Sequence, residues 1–263
     1  MAFFDDLAER IERTGSILCV GLDPDVSRLP AHLEEFDLPR WAFNRRIIDA
    51  THNLVAAYKP NAAFYEDADG WRALEETVAY AHGKDIPVIL DAKRADIGNT
   101  TRQYAKQLDR HDAITVNPYL GRDAIEPFLQ QNDKGVFILC RTTNPGASDI
   151  QDLELADGDR LYERVAVLAD VWNREGNVGL VVGATTPDEL EEVRELVPDI
   201  PFLVPGVGSQ GGDVEAAVTY GLADGVGLIN ASRSVIFAGE GESFDKAARS
   251  AAKRLRDRLN EYR

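Results

Sequence analysis

A chain of 263 residues with 44% hydrophobic and 8% aromatic side chains can bury a substantial core, which excludes a disordered segment or a disulfide-stapled mini-protein. Its 45 acidic against 29 basic residues, a formal charge of −16, argue against a nucleic-acid binder, whose surface would carry the opposite sign. Only seven of the basic residues are lysine, and an acidic surplus with scarce lysine suits a protein kept in concentrated salt, where screening shortens to about 3 Å at 1 M.

The segment 2–13 predicts a helix that precedes the first strand and caps the bottom of a barrel. Short apolar runs rich in β-branched residues then predict strands near 16–23, 58–65, 87–93, 113–118, 135–140, 178–183, 201–206 and 225–231. Helical patterns lie between them over 41–57, 71–81, 161–174 and 187–196, and a last helix covers 244–262. The helix at 71 opens after Asp67 and the one at 187 after Thr185-Thr186, residue types that cap helix N-termini. Continuously apolar strands imply burial on both faces and therefore a parallel sheet with right-handed crossovers. Eight such units predict an α/β fold closed as a (β/α)8 TIM barrel, one domain over 1–263; an open doubly wound sheet is the alternative. The stretch 142–159, the longest without clear pattern, follows strand five and belongs at the C-terminal face.

Cys19 and Cys140 each sit inside an apolar run and are expected as buried free thiols. No apolar run approaches 18 residues, and no basic segment leads into an apolar one, so a membrane span or secretion signal is not expected and the cytoplasm is the expected location. His32, His52, His82 and His111 are scattered without metal-ligand spacing; they are expected at the surface, and no metal site is expected. No G-x-S-x-G, Walker A or dinucleotide fingerprint is present.

The chemistry concentrates in Leu90-Asp91-Ala92-Lys93-Arg94-Ala95-Asp96-Ile97-Gly98-Asn99-Thr100. Asp91 and Lys93, two apart at a strand end, share a face, and at the C-terminal end of a barrel strand that face opens on the active site. Lys59 interrupts the run into strand two; a buried lysine needs a partner, and Asp91 on the adjacent strand is the candidate. Asp96 follows, and Asp23 ends strand one. Alternating carboxylates and ammonium groups make a preorganised electrostatic array. The glycine-rich stretch 204–213 after strand seven and Arg233 after strand eight stand where many barrels bind phosphate.

These residues resemble the orotidine 5'-phosphate decarboxylase family. Asp91-x-Lys93-x-x-Asp96 is similar to its signature, and Lys93-Arg94-x-Asp96-Ile97-Gly98-x-Thr100 resembles its longer-chain bacterial and archaeal branch. Supporting matches run along the chain: Gly21-Leu22-Asp23-Pro24, Lys59-Pro60-Asn61, Thr142-Thr143-Asn144-Pro145-Gly146, Pro205-Gly206-Val207-Gly208-x-Gln210-Gly211-Gly212-Asp213 and Ser232-Arg233. With the composition, the resemblance implies a halophilic archaeal source. It implies decarboxylation of orotidine 5'-monophosphate (OMP) to uridine 5'-monophosphate (UMP), the last step of pyrimidine biosynthesis, without metal or organic cofactor. It also implies a homodimer with composite sites. Lys59, Asp91 and Lys93 would come from one subunit, and Asp96 with Ile97 and Thr100 from the other. Asp23 and Lys59 would hold ribose hydroxyls, Thr143 the pyrimidine ring, and Gln210 and Arg233 the phosphate, with Ser232 offering a backbone N–H. The sequence departs from the family pattern where Thr143 replaces the usual Ser and where Ser232 replaces the Gly of shorter relatives. A magnesium-dependent 3-keto-sugar-phosphate decarboxylase on the same barrel is the second reading. A phosphate-ligand sensor without catalysis is the third, and it has no use for a proton donor such as Lys93.

Overall fold

The computed structural model describes residues 2–207 and 212–263. The eight apolar runs become β1 (Leu18–Leu22), β2 (Ala57–Pro60), β3 (Ile89–Arg94), β4 (Ala113–Val116), β5 (Gly135–Arg141), β6 (Val178–Val182), β7 (Phe202–Val204) and β8 (Leu228–Ala231). All pair in parallel in the order β2-β1-β8-β7-β6-β5-β4-β3. The ends of that row meet: Tyr58 N donates to the Pro87 carbonyl at 3.0 Å, and bridges join Tyr58 to Val88 and Asn61 to Asp91. The sheet is therefore closed, and the (β/α)8 barrel holds over the open alternative.

Around it run α1 (Phe3–Thr14), α2 (Pro39–Thr51), α3 (Ala68–His82), α4 (Gly98–Ala105), α5 (Glu126–Leu129), α6 (Leu161–Trp172), α7 (Pro187–Leu196), α8 (Val214–Gly221), α9 (Arg233–Ile236) and α10 (Phe244–Leu259). No described helix is long and apolar enough to cross a membrane. α1 closes the bottom as expected. Phe3 and Phe4 pack edge-on against Phe137 of β5, and Gly135 leaves room for the Phe3 ring that a Cβ would occupy. Buried Arg10 donates to the carbonyls of Ala56, Asp85, His52 and Val55, tying together the chain that leads into β2 and β3. Cys19 and Cys140 are buried free thiols, and burial pushes both up to about 12.

Several elements differ from expectation. The strand predicted over 58–65 stops at Pro60, because the Asn61 side chain accepts from Ala63 N and turns 62–64 into a 3-10 helix. The helix predicted over 41–57 runs Pro39–Thr51; beyond it Ala56 N already bonds Leu18 of β1. α3 is capped by Asp67, whose side chain accepts from Gly70 N, but Thr186 makes no such bond to α7. Pro187 starts that helix with its φ preset and one fewer N–H to satisfy. The stretch 142–159 holds a 3-10 helix, Pro145–Asp149, and a bridge from Glu154 to Arg160. His111 is buried rather than at the surface, its Nδ1 2.7 Å from the Gln107 carbonyl; burial holds its imidazole below the usual range.

Candidate active site

A cavity of about 500 Å³ opens at the C-terminal end of the barrel, lined from β2 through β8 and by Asp23 beyond β1, within the size range of small-molecule sites. At its floor lies Asp91, 8% exposed. Its Oδ2 accepts from Lys59 Nζ at 2.7 Å, and its Oδ1 accepts from Lys93 Nζ at 2.5 Å and from Thr115 Oγ1 at 2.9 Å. Burial alone would push the Asp91 carboxyl up; the ammonium groups of Lys59 and Lys93 outweigh it and hold the group far below the usual carboxylate range. Burial alone would likewise strip the proton from Lys59, 5% exposed, but Asp91 and then Asp23 raise it above its ordinary value. Asp91 and Lys59 are therefore held charged at neutral pH, each by the other.

Lys93 reaches this place by a route that simple alternation does not describe. The pairing of β3 with β4 shifts between Leu90 and Arg94, and Lys93 has φ +50°, a left-handed conformation uncommon outside glycine. Its N–H donates to Thr115 Oγ1 at 2.9 Å. Thr115 thus grips both the bulged backbone and the carboxylate. From this bulged position Lys93 Nζ still reaches Asp91 Oδ1.

Asp23, beyond β1, accepts a hydrogen bond from Ser232 Oγ through Oδ2, while its buried Oδ1 has no partner among the described residues. Gly21 makes that contact possible, since a Cβ there would stand 2.6 Å from Ser232 Oγ. Arg233 lines the cavity mouth. Thr143 lines it too, on a segment tied down by Gln151, which accepts from Thr142 N at 2.9 Å and donates to Thr142 Oγ1 at 2.9 Å.

Of the residues expected at the site, Lys59, Asp91, Lys93, Asp23, Thr143, Ser232 and Arg233 line one cavity. Asp96, Ile97 and Thr100 do not. They follow β3 on the loop and first turn of α4; Asp96 accepts from its own neighbour Ile97 N at 2.8 Å, and Ile97 is 65% exposed. Gln210 lies outside the described residues. Thr115, Gln151 and Asn230 were missed. Thr115 and Asn230 are polar residues inside apolar strands, a visible signal, whereas nothing in the local pattern marks Gln151.

The cavity gathers Lys59, Lys93 and Arg233 against Asp23 and Asp91 in a chain of net charge −16. A local excess of positive charge against so acidic a background selects an anionic ligand. Comparison with known proteins agrees with this geometry. The family model described as orotidine 5'-phosphate decarboxylase / HUMPS matches residues 16–247. An orotidine 5'-phosphate decarboxylase of Halorubrum lacusprofundi is 71% identical and one of Haloarcula marismortui 68%, each aligned over the whole of both chains. Among solved structures, Leishmania donovani OMP decarboxylase superposes with a TM-score of 0.86 at 43% identity, covering all of this chain and 98% of that one. The UMP synthase of the same organism gives 0.88 at 45%, this chain spanning 56% of its length. By its barrel, its charged floor and this similarity along its whole length, the chain belongs to the orotidine 5'-phosphate decarboxylase family.

Proposed function

We propose that this protein decarboxylates OMP to UMP and carbon dioxide, the last step of pyrimidine biosynthesis. The observation that carries the reading is the Lys59–Asp91–Lys93 array at the cavity floor. Breaking the bond from C6 to the carboxylate leaves its electron pair on C6 with no conjugated sink, so a positive charge must already stand beside it. Lys93 supplies that charge in a site where no solvent reorganisation is needed. Its Nζ then gives C6 a proton, and solvent restores the proton to Lys93. Asp91, ionised and fixed from both sides, lies against the departing carboxylate. Lys59 holds Asp91 and, with Asp23, meets the ribose.

Arg233 and Ser232 take the phosphate at the mouth, with Gln210, and Thr143 meets the pyrimidine ring. The reaction needs no cofactor on this reading, because Lys93 performs both electrostatic and acid roles. Both oxygens of Asp91 are already engaged by ammonium groups, an arrangement unsuited to a magnesium ligand.

The site is shared between two copies of the chain. Asp96, Ile97 and Thr100 stand outside their own cavity, on the same face as exposed Tyr119 and Leu120 after β4. An apolar rim beside a site mouth suits a self-complementary two-fold interface. The acidic, lysine-poor composition supports a salt-rich cytoplasm as the setting.

Loss of OMP absorbance on adding purified protein in concentrated salt with EDTA tests the assignment. Turnover that survives EDTA is expected; turnover that requires added magnesium transfers the chain to the metal-dependent sugar-phosphate branch. Arg233→Ala is expected to raise KM and lower kcat/KM by the equivalent of about 1.5–3 kcal/mol, the worth of a charge-assisted contact at an exposed mouth. Steady-state kinetics checks it, and an unchanged KM moves the phosphate elsewhere.

A further inference from the structure

We infer that Asn230 is a specificity-determining residue whose carboxamide accepts a hydrogen bond from a ribose hydroxyl of the bound nucleotide. The inference rests on the decarboxylase reading above. Asn230 is the third residue of β8, and its neighbour fixes the face it presents. Ile229 points outward, its Cδ1 standing 3.4 Å from where a Cβ on Gly221 of α8 would be. Alternation turns Asn230 into the barrel, where it lines the cavity in register with Cys19 of β1 and one inward position below Ser232. It is 8% exposed, and its Oδ1 is buried with no hydrogen-bond partner among the described residues.

An amide oxygen left without a donor costs the unliganded fold, and packing alone favours leucine at such a place. A carboxamide also turns about its last torsion with little resistance, so its acceptor can face whatever enters the cavity. The same sector holds a second orphan acceptor, Asp23 Oδ1. Two acceptors on the β8–β1 side match two neighbouring hydroxyl donors, the pattern of a ribose diol. The wall that continues from β8 through β7, β6 and β5 is apolar, with Leu203, Val181 and Leu139, and suits the flat faces of a base. Asp23, charged, attracts cations and donors alike. Asn230, neutral, accepts only from a donor placed against it, so it senses whether the hydroxyl is present.

The test compares wild type with Asn230→Leu and Asn230→Ala. It measures OMP turnover and the affinities of UMP, 2'-deoxy-UMP, 3'-deoxy-UMP and ribose 5-phosphate. In the variants UMP and ribose 5-phosphate should both bind about tenfold more weakly, KM should rise with kcat within about twofold, and the wild-type preference for UMP over one deoxy analogue should shrink by the same factor. The unliganded Asn230→Leu protein should melt no lower than wild type, because the orphan acceptor is gone; a structural asparagine would give a lower melting temperature. If leucine prevents folding, the alanine variant carries the affinity comparison. An active wild type, with preferences for UMP over both deoxy analogues unaltered in the variants, overturns this inference alone. A wild type that neither decarboxylates OMP nor binds UMP overturns the decarboxylase reading with it.

Discussion

Lys93→Ala is expected to lower kcat by roughly 10⁴-fold or more while UMP still binds. The magnitude combines a lost general acid, worth about 10²–10⁴, with a lost charge in a low-dielectric site, worth about 10²–10³. The fold has reason to survive the change. Asp91 keeps its 2.7 Å contact with Lys59 and its 2.9 Å contact with Thr115, so no buried charge is left alone. The bulge also keeps the bond from the Lys93 N–H to Thr115 Oγ1, which uses no side-chain atom of Lys93. Single-turnover assays with OMP, paired with thermal shift on UMP, separate loss of chemistry from loss of folding. Near-wild-type turnover by a variant that still binds UMP removes Lys93 from the mechanism and leaves the array without its central role.

Much of this arrangement was legible in the sequence, for a physical reason. A charge inside an apolar run is expensive unless answered, so Lys59 announced a partner, and Asp91 at 2.7 Å is that partner. Eight buried strands repeat a pattern strong enough to count, and the barrel followed from the count. Closure itself was not legible. It depends on Tyr58 meeting Pro87 across the seam between β2 and β3, a tertiary pairing that no local pattern encodes. The turn after β2 is not legible in the sequence, because Ala62-Ala63-Phe64 is apolar like a strand while one side-chain acceptor on Asn61 decides its shape. The helices α4, α8 and α9 escaped because they are short, and their stability comes from packing on the barrel more than from their own periodicity. Alternation puts Lys93 on the face of Asp91, and the lysine does reach Asp91, but through a bulge and a left-handed φ that no local pattern encodes.

Asp96→Asn and Lys93→Ala should complement each other when their subunits are mixed. In the single chain Asp96 stands outside the cavity and, among the described residues, accepts only from its own neighbour Ile97 N. If it serves the facing subunit, each variant homodimer carries a lesion in both sites and is nearly inactive. A mixed dimer then holds one site with both lesions and one site with neither, as the two-fold symmetry of an isologous interface requires. Random mixing makes half of the dimers mixed, each with one intact site in two, so recovery should reach about a quarter of wild-type activity per subunit. The subunits must be unfolded and refolded together, or co-expressed, with exchange verified by mass. The recovered activity, as a fraction of wild type at the same salt, should rise and fall with the fraction of mixed dimers. Activity that stays at the homodimer level after verified exchange assigns Asp96 to its own subunit, and the loop after β3 would then have to fold back over the cavity to bring its carboxylate to Lys93.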